Sequence, residues 1–215
     1  MSRQTASRLM SGLIAVLTGI GTVIMLTNNK EGILTVYGAE NLKFFTVESN
    51  LLIGIVHLLS LFLYDAPGQE RRLWLDRLTY VATVAVALTF TVVVAFFGPG
   101  VGYAEMFKDA NLFFHLIIPV LAALSFCVFH RNRRIPMGET ALALIPTVLY
   151  GLYYTGVLLV RGIHFPETDW YGFASGGAAG SVITAAVILL ITWVLALLLR
   201  LASGSGRRKP DGTAV

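Results

Sequence analysis

Six apolar runs constrain this chain more than any other feature. They are Leu9 to Asn29, Phe44 to Tyr64, Leu78 to Phe97, Ala110 to Phe129, Thr140 to Val160 and Ala178 to Leu199, each 20 to 22 residues long. A helix needs about 20 residues to cross the hydrocarbon core of a bilayer. Four of the runs contain no Asp, Glu, Lys, Arg or His; the second carries Glu48 and His57, and the fourth carries His115. Only 13% of the chain is charged, against about 25% in soluble domains. The runs predict an all-α integral membrane bundle of six transmembrane helices. It occupies residues 1–202, with a disordered basic tail over 203–215. Arg3 and Arg8 precede the first run, but its length and the lack of an A-x-A site after it predict a retained helix, not a cleaved signal.

The basic residues predict the orientation. One side has Arg3 and Arg8, then Arg71, Arg72 and Arg77, then Arg131, Arg133 and Arg134, then Arg200, Arg207, Arg208 and Lys209. The other has only Lys30, Lys43, Lys108 and Arg161. Cytoplasmic loops hold the excess of Lys and Arg, so both termini are expected inside. The pI near 9.4 then reflects topology and contact with anionic headgroups, and nucleic acid is not an expected partner. Short loops and many glycines and alanines suit a bacterial cytoplasmic membrane. The lone Cys127 excludes a disulfide framework and reads as an apolar filler. No cofactor is expected.

Against this background the polar stretch KFFTVESN, Lys43 to Asn50, stands out at the outer start of the second run. The fourth run starts at the same membrane level with NLFFHLIIPV. Thr46 and His115 therefore lie within about one helical turn in depth. Thr46, Asn50, Ile53 and His57 share one face of their helix, and Asn111 shares a face with His115. Polar groups in hydrocarbon face the bundle interior or a wet cavity. Glu48 lies about 200° around the helix from Thr46 and is not assigned to the same site. Pro119 and Pro146 are expected to free the carbonyls of His115 and Leu142. Gly176 and Gly180 form a GxxxG that permits close helix contact.

A threonine hydroxyl becomes a useful nucleophile when a base takes its proton, and histidine is the usual base at neutral pH. The start of a helix supplies amide donors for an oxyanion, and Asn50 offers another amide. These are the parts for acyl transfer. The same residues also read as a helix cap and interhelical glue.

The segments also carry a resemblance. KFFTVESN, NLFFHLIIPV and DWYGF (Asp169 to Phe173), in that order, resemble the androgen-induced-gene family of membrane proteins, which includes the androgen-dependent regulator of tissue factor pathway inhibitor. The resemblance implies six helices and hydrolysis of fatty-acid esters of hydroxy fatty acids by an intramembrane threonine and histidine. Lys43-Phe44-Phe45-Thr46 matches the family's K-[FY]-[FL]-T pattern, which makes Thr46 the implied nucleophile. His115 to Pro119 matches its H-x-x-x-P pattern, which makes His115 the implied base. DWYGF is similar to its W-[VY]-Y-P segment, with Gly172 where a proline is common. Ser49, Asn50, His57, Asn111 and Tyr171 are then the expected substrate-binding residues, and a membrane lipid or lipid-like ester is the expected substrate.

Two other readings use the same residues. In one, the cluster belongs to a non-catalytic carrier of a lipid or small molecule, with Glu48, His57 and His115 relaying protons. In the other, His57, His115, His164, Glu48 and Asp169 ligate a metal, although no HExxH-type spacing supports it.

Overall fold

The computed structural model describes residues 1–29, 35–63, 69–130 and 135–204. The expected end of the second run at Tyr64, the basic residues Lys30, Arg131, Arg133, Arg134, Arg207, Arg208 and Lys209, and the tail from 205 lie outside these.

Six helices are long and apolar enough to cross a membrane, and no strand occurs among the described residues. They are α1 (Arg3–Leu26), α2 (Phe45–Leu63), α3 (Leu73–Val101), α4 (Ala110–Phe129), α5 (Met137–Arg161) and α6 (Gly177–Ala202). The protein is thus a multi-pass membrane protein by length and composition. The side chains facing outward agree with that solvent: Leu152, Leu159, Val160, Val182 and Ile183 are all exposed, a surface that water would not tolerate.

The helix ends depart from the apolar runs. The helix of α1 starts at Arg3, where the Ser2 hydroxyl caps it by accepting from the Thr5 amide at 3.1 Å. The helix that contains α3 already begins at Gln69, before the span itself, and continues to Val101, beyond the expected 78–97; at its start the polar residues of QERRLWLDR extend it past the apolar core. α5 opens with a tight 3-10 stretch, Met137–Leu144, before Ile145–Arg161 turns α-helical. This corrects the expectation for Pro146. The carbonyl of Leu142 is not left free, because the Ile145 amide donates to it in the tighter 3-10 register.

α3 is the central post. Ala82, Val84, Ala85 and Val86 on it are fully buried. α1, α2 and α4 pack together on one side of it, and α5 and α6 flank the other. Small residues set the closest approaches, but not where the GxxxG predicts. A Cβ at Gly180 would meet nothing within 4 Å, so that motif makes no close helix contact. Between the spanning helices the tight spots are Gly54 and Gly21. A Cβ at Gly54 would fall 2.5 Å from Thr18 Cγ2 on α1, and one at Gly21 would fall 2.8 Å from the Phe114 ring on α4. Thr18 cannot easily swing away, since its hydroxyl donates to the Ile14 carbonyl at 2.9 Å. Gly54→Ala is expected to destabilise the protein by about 1–3 kcal/mol through overpacking. Thermal unfolding in detergent checks this, and Thr18→Ala in the same chain should restore only part of the loss, because the Thr18 Cβ itself would lie 2.8 Å from the new methyl.

Candidate functional site

The site forms where the start of α2 meets the loop before α6. Asn41 shapes the approach: its side chain donates to the carbonyls of Val36 at 2.6 Å and Gly38 at 2.9 Å, and accepts from the Val36 amide at 3.0 Å. This locks the 3-10 turn Gly38–Lys43 that delivers the chain into α2.

The loop between α5 and α6 then clamps that entry. Asp169 is 1% exposed, and it accepts from the Tyr154 hydroxyl and from the Ala174 amide at 3.1 Å. Held this way, the loop puts Trp170 Nε1 at 3.0 Å from the Tyr150 hydroxyl, which donates on to the Lys43 carbonyl at 2.7 Å. Tyr171 completes the clamp: its hydroxyl accepts from the Phe45 amide at 3.0 Å. One of the first free N–H groups of α2 is therefore capped by Tyr171 and not by Thr46. Burial holds the Tyr171 phenol well above its ordinary value, so it stays protonated at neutral pH, and its hydroxyl shares a hydrogen bond with that of Tyr150.

Thr46 is half-buried, and its hydroxyl has no hydrogen-bond partner among the described residues. It lines a cavity of about 150 Å³ together with Asn111, His115 and Tyr171. His115 is 2% exposed, and its Nδ1 lies 2.7 Å from the Met106 carbonyl. A carbonyl only accepts, so in the neutral ring Nδ1 carries the hydrogen and Nε2 the lone pair.

The turn that carries His115 is unusual. α4 opens into a wide π-type turn over Phe113–Ile117, closed by the Ile118 amide donating to the Phe113 carbonyl. In that register the next amide would serve Phe114, but the next residue is Pro119, which has none. Asn50 fills the gap: its Nδ2 donates to the Phe114 carbonyl at 2.9 Å and to the Thr46 carbonyl at 2.7 Å. The proline's missing bond therefore falls on Phe114 and not on His115, and π-type turns of this kind recur at functional sites.

Of the expected site residues, Thr46, His115, Asn111 and Tyr171 come together, and three do not. Asn50 is fully buried with both amide hydrogens engaged inside the protein, so it ties α2 to α4 and has no hydrogen left for a substrate carbonyl. The Ser49 hydroxyl lies 3.1 Å from that of Thr89 and ties α2 to α3. His57 lies eleven residues past Thr46, about 16 Å deeper along the helix, with Nδ1 3.0 Å from the Ser11 hydroxyl. Glu48 is exposed and does not line this cavity. Among the described residues no three His, Cys, Asp or Glu gather as a metal site. Asp169, a candidate ligand by sequence, instead holds the loop.

Sequence reasoning missed Met106 and the Tyr150–Trp170 clamp. The first acts through a backbone carbonyl, which leaves no side-chain signal. The second had one, since Tyr150 and Tyr154 stand one helical turn apart, but the spacing reads equally as packing. No protein-family model, curated protein or solved structure matches the chain.

Proposed function

We propose that this protein is an intramembrane hydrolase of fatty-acid esters, with Thr46 as nucleophile and His115 as general base. The observation that carries the reading is that one cavity is lined both by a threonine hydroxyl without a hydrogen-bond partner among the described residues and by a histidine whose Nε2 lone pair is set by Met106. The resemblance of KFFT and H-x-x-x-P to the androgen-induced-gene family supports the same assignment. The arginine distribution supports cytoplasmic termini, which puts the cavity in the outer leaflet, where an ester can enter from the bilayer.

In this mechanism Nε2 of His115 takes the Thr46 proton as Oγ1 attacks the ester carbonyl. The oxyanion accepts from the Tyr171 hydroxyl, which turns to it from Tyr150 and takes over the role that Asn50 was expected to play. Collapse breaks the ester C–O bond, and the leaving alkoxide takes the proton from Nε2. Water then attacks the acyl-threonine with His115 again as base. Collapse releases the fatty acid and returns the proton to Oγ1.

Hydrolysis of a panel of lipid esters by purified protein in detergent tests the reading. Turnover is expected in the wild type, and its absence on every ester would remove the hydrolase and leave a binder or carrier. Tyr171→Phe is expected to lower kcat by about 10²–10³-fold, as for loss of one oxyanion donor. A Tyr171→Phe enzyme with wild-type kcat would take Tyr171 out of the chemistry.

A further inference from the structure

Thr46 and Tyr171 line two cavities, not one, and the two differ in kind. The first is the vestibule of about 150 Å³ with His115, walled by polar groups that include Asn28, Thr35, Asn41 and Asn111. The second is about 620 Å³ and lies between α3, α5 and α6, with Leu88, Val92, Leu158, Ala185 and Leu189 among its walls. On α6 it reaches from Gly177 to Leu189. Twelve residues of helix rise about 18 Å, so the cavity is deep enough for an extended long-chain acyl group.

His115 lines the vestibule and not the apolar cavity. Resting on the hydrolase reading above, this sorts the two halves of the substrate. The group that protonates the leaving alcohol is His115, so the alcohol departs on the vestibule side and the acyl chain lies in the apolar cavity. The vestibule is about a quarter of the other cavity's volume and is the more polar of the two, so a second long chain suits it less well. Its charged groups are Glu105, Lys108 and Asp109. Lys108 lies 3.7 Å from Glu105, which leaves the acidic charge of Asp109 facing any anionic headgroup.

We propose that the substrate is an ester of a long-chain fatty acid with a small, uncharged polar alcohol of the glycerol type. Esters whose alcohol is itself a long chain, the kind that the family resemblance implies, fit this geometry poorly.

Three oleoyl esters in the same detergent test this: monooleoylglycerol, oleoyl lysophosphatidylglycerol and oleyl oleate. The kcat/KM for monooleoylglycerol is expected to exceed each of the others at least tenfold. Met25 is a vestibule wall, and Met25→Ala is expected to shrink the preference over oleyl oleate by enlarging the space. Equal or faster cleavage of oleyl oleate by the wild type would overturn the size argument while leaving the hydrolase standing. Faster cleavage of the lysophospholipid would overturn the charge argument, and an unchanged preference in a folded Met25→Ala protein would detach it from the vestibule. No cleavage of any ester, here or in the wider panel, would bring down the hydrolase reading and this one with it.

Discussion

Thr46→Ala is expected to abolish ester hydrolysis, with kcat reduced at least about 10³-fold, while thermal unfolding in detergent stays where it is in the wild type. Both halves follow from the same geometry. In the proposed reaction the hydroxyl is the atom that forms the acyl intermediate, and residues acting as nucleophile carry losses of this size. In the resting protein that hydroxyl holds no hydrogen bond among the described residues, so deleting it breaks nothing. Structural threonines in this chain behave differently: Thr18, Thr83 and Thr192 each donate to a carbonyl one turn back. His115→Ala should lower kcat by about 10²–10⁴-fold, the range for a lost general base. A folded Thr46→Ala protein that still turns over the ester would refute the assignment outright, and Thr46→Ser should keep part of the rate because it keeps a hydroxyl.

The largest stability effect is expected at Asn50, one turn along the same face. Its side chain is fully buried and is, among the described residues, the only side-chain donor to the Phe114 carbonyl that Pro119 leaves without a helical amide. An orphaned buried carbonyl costs about 1–3 kcal/mol, and the void left by the side chain adds to it. Asn50→Ala should therefore destabilise by about 2–4 kcal/mol, a fall in midpoint of roughly 5–15 °C for a chain of this size. The cause can be isolated. Pro119→Ala returns an amide to the helix, so Asn50→Ala should cost clearly less in that background, and the difference is the coupling between the two sites. Equal costs in both backgrounds would show that Asn50 acts by filling space alone. Activity should fall in Asn50→Ala as well, because Asn50 ties the turn bearing His115 to the carbonyl of Thr46.

The two experiments separate roles that the sequence assigns alike. Thr46, Ser49 and Asn50 are polar residues in one short stretch, and from spacing each reads as catalyst or as glue. Spacing cannot choose, because it reports which face a residue occupies and not which neighbour takes its hydrogen bond. Ser49 finds Thr89, Asn50 finds Phe114, and Thr46 finds a cavity. His57 was grouped with the site because it shares the helical face of Thr46, yet a face is a stripe along the whole helix, and depth separates the two.

What the sequence by itself determined is the solvent and the count: six spans, because a run of about 20 apolar residues has no other stable place than a bilayer. It also placed Thr46 and His115 at one level, because rise per residue is constant along a helix. Only the tertiary structure decided the rest. It shifted the bond that Pro119 lacks from His115 to Phe114, because a wide turn changes the register by one residue. It moved the close helix contact from Gly180 to Gly54, because side-chain clearance depends on which helix comes to lie opposite. It brought Tyr171, more than a hundred residues away in the chain, onto the first amide of α2, a contact set by how the α5–α6 loop folds over the bundle and one that no local pattern encodes.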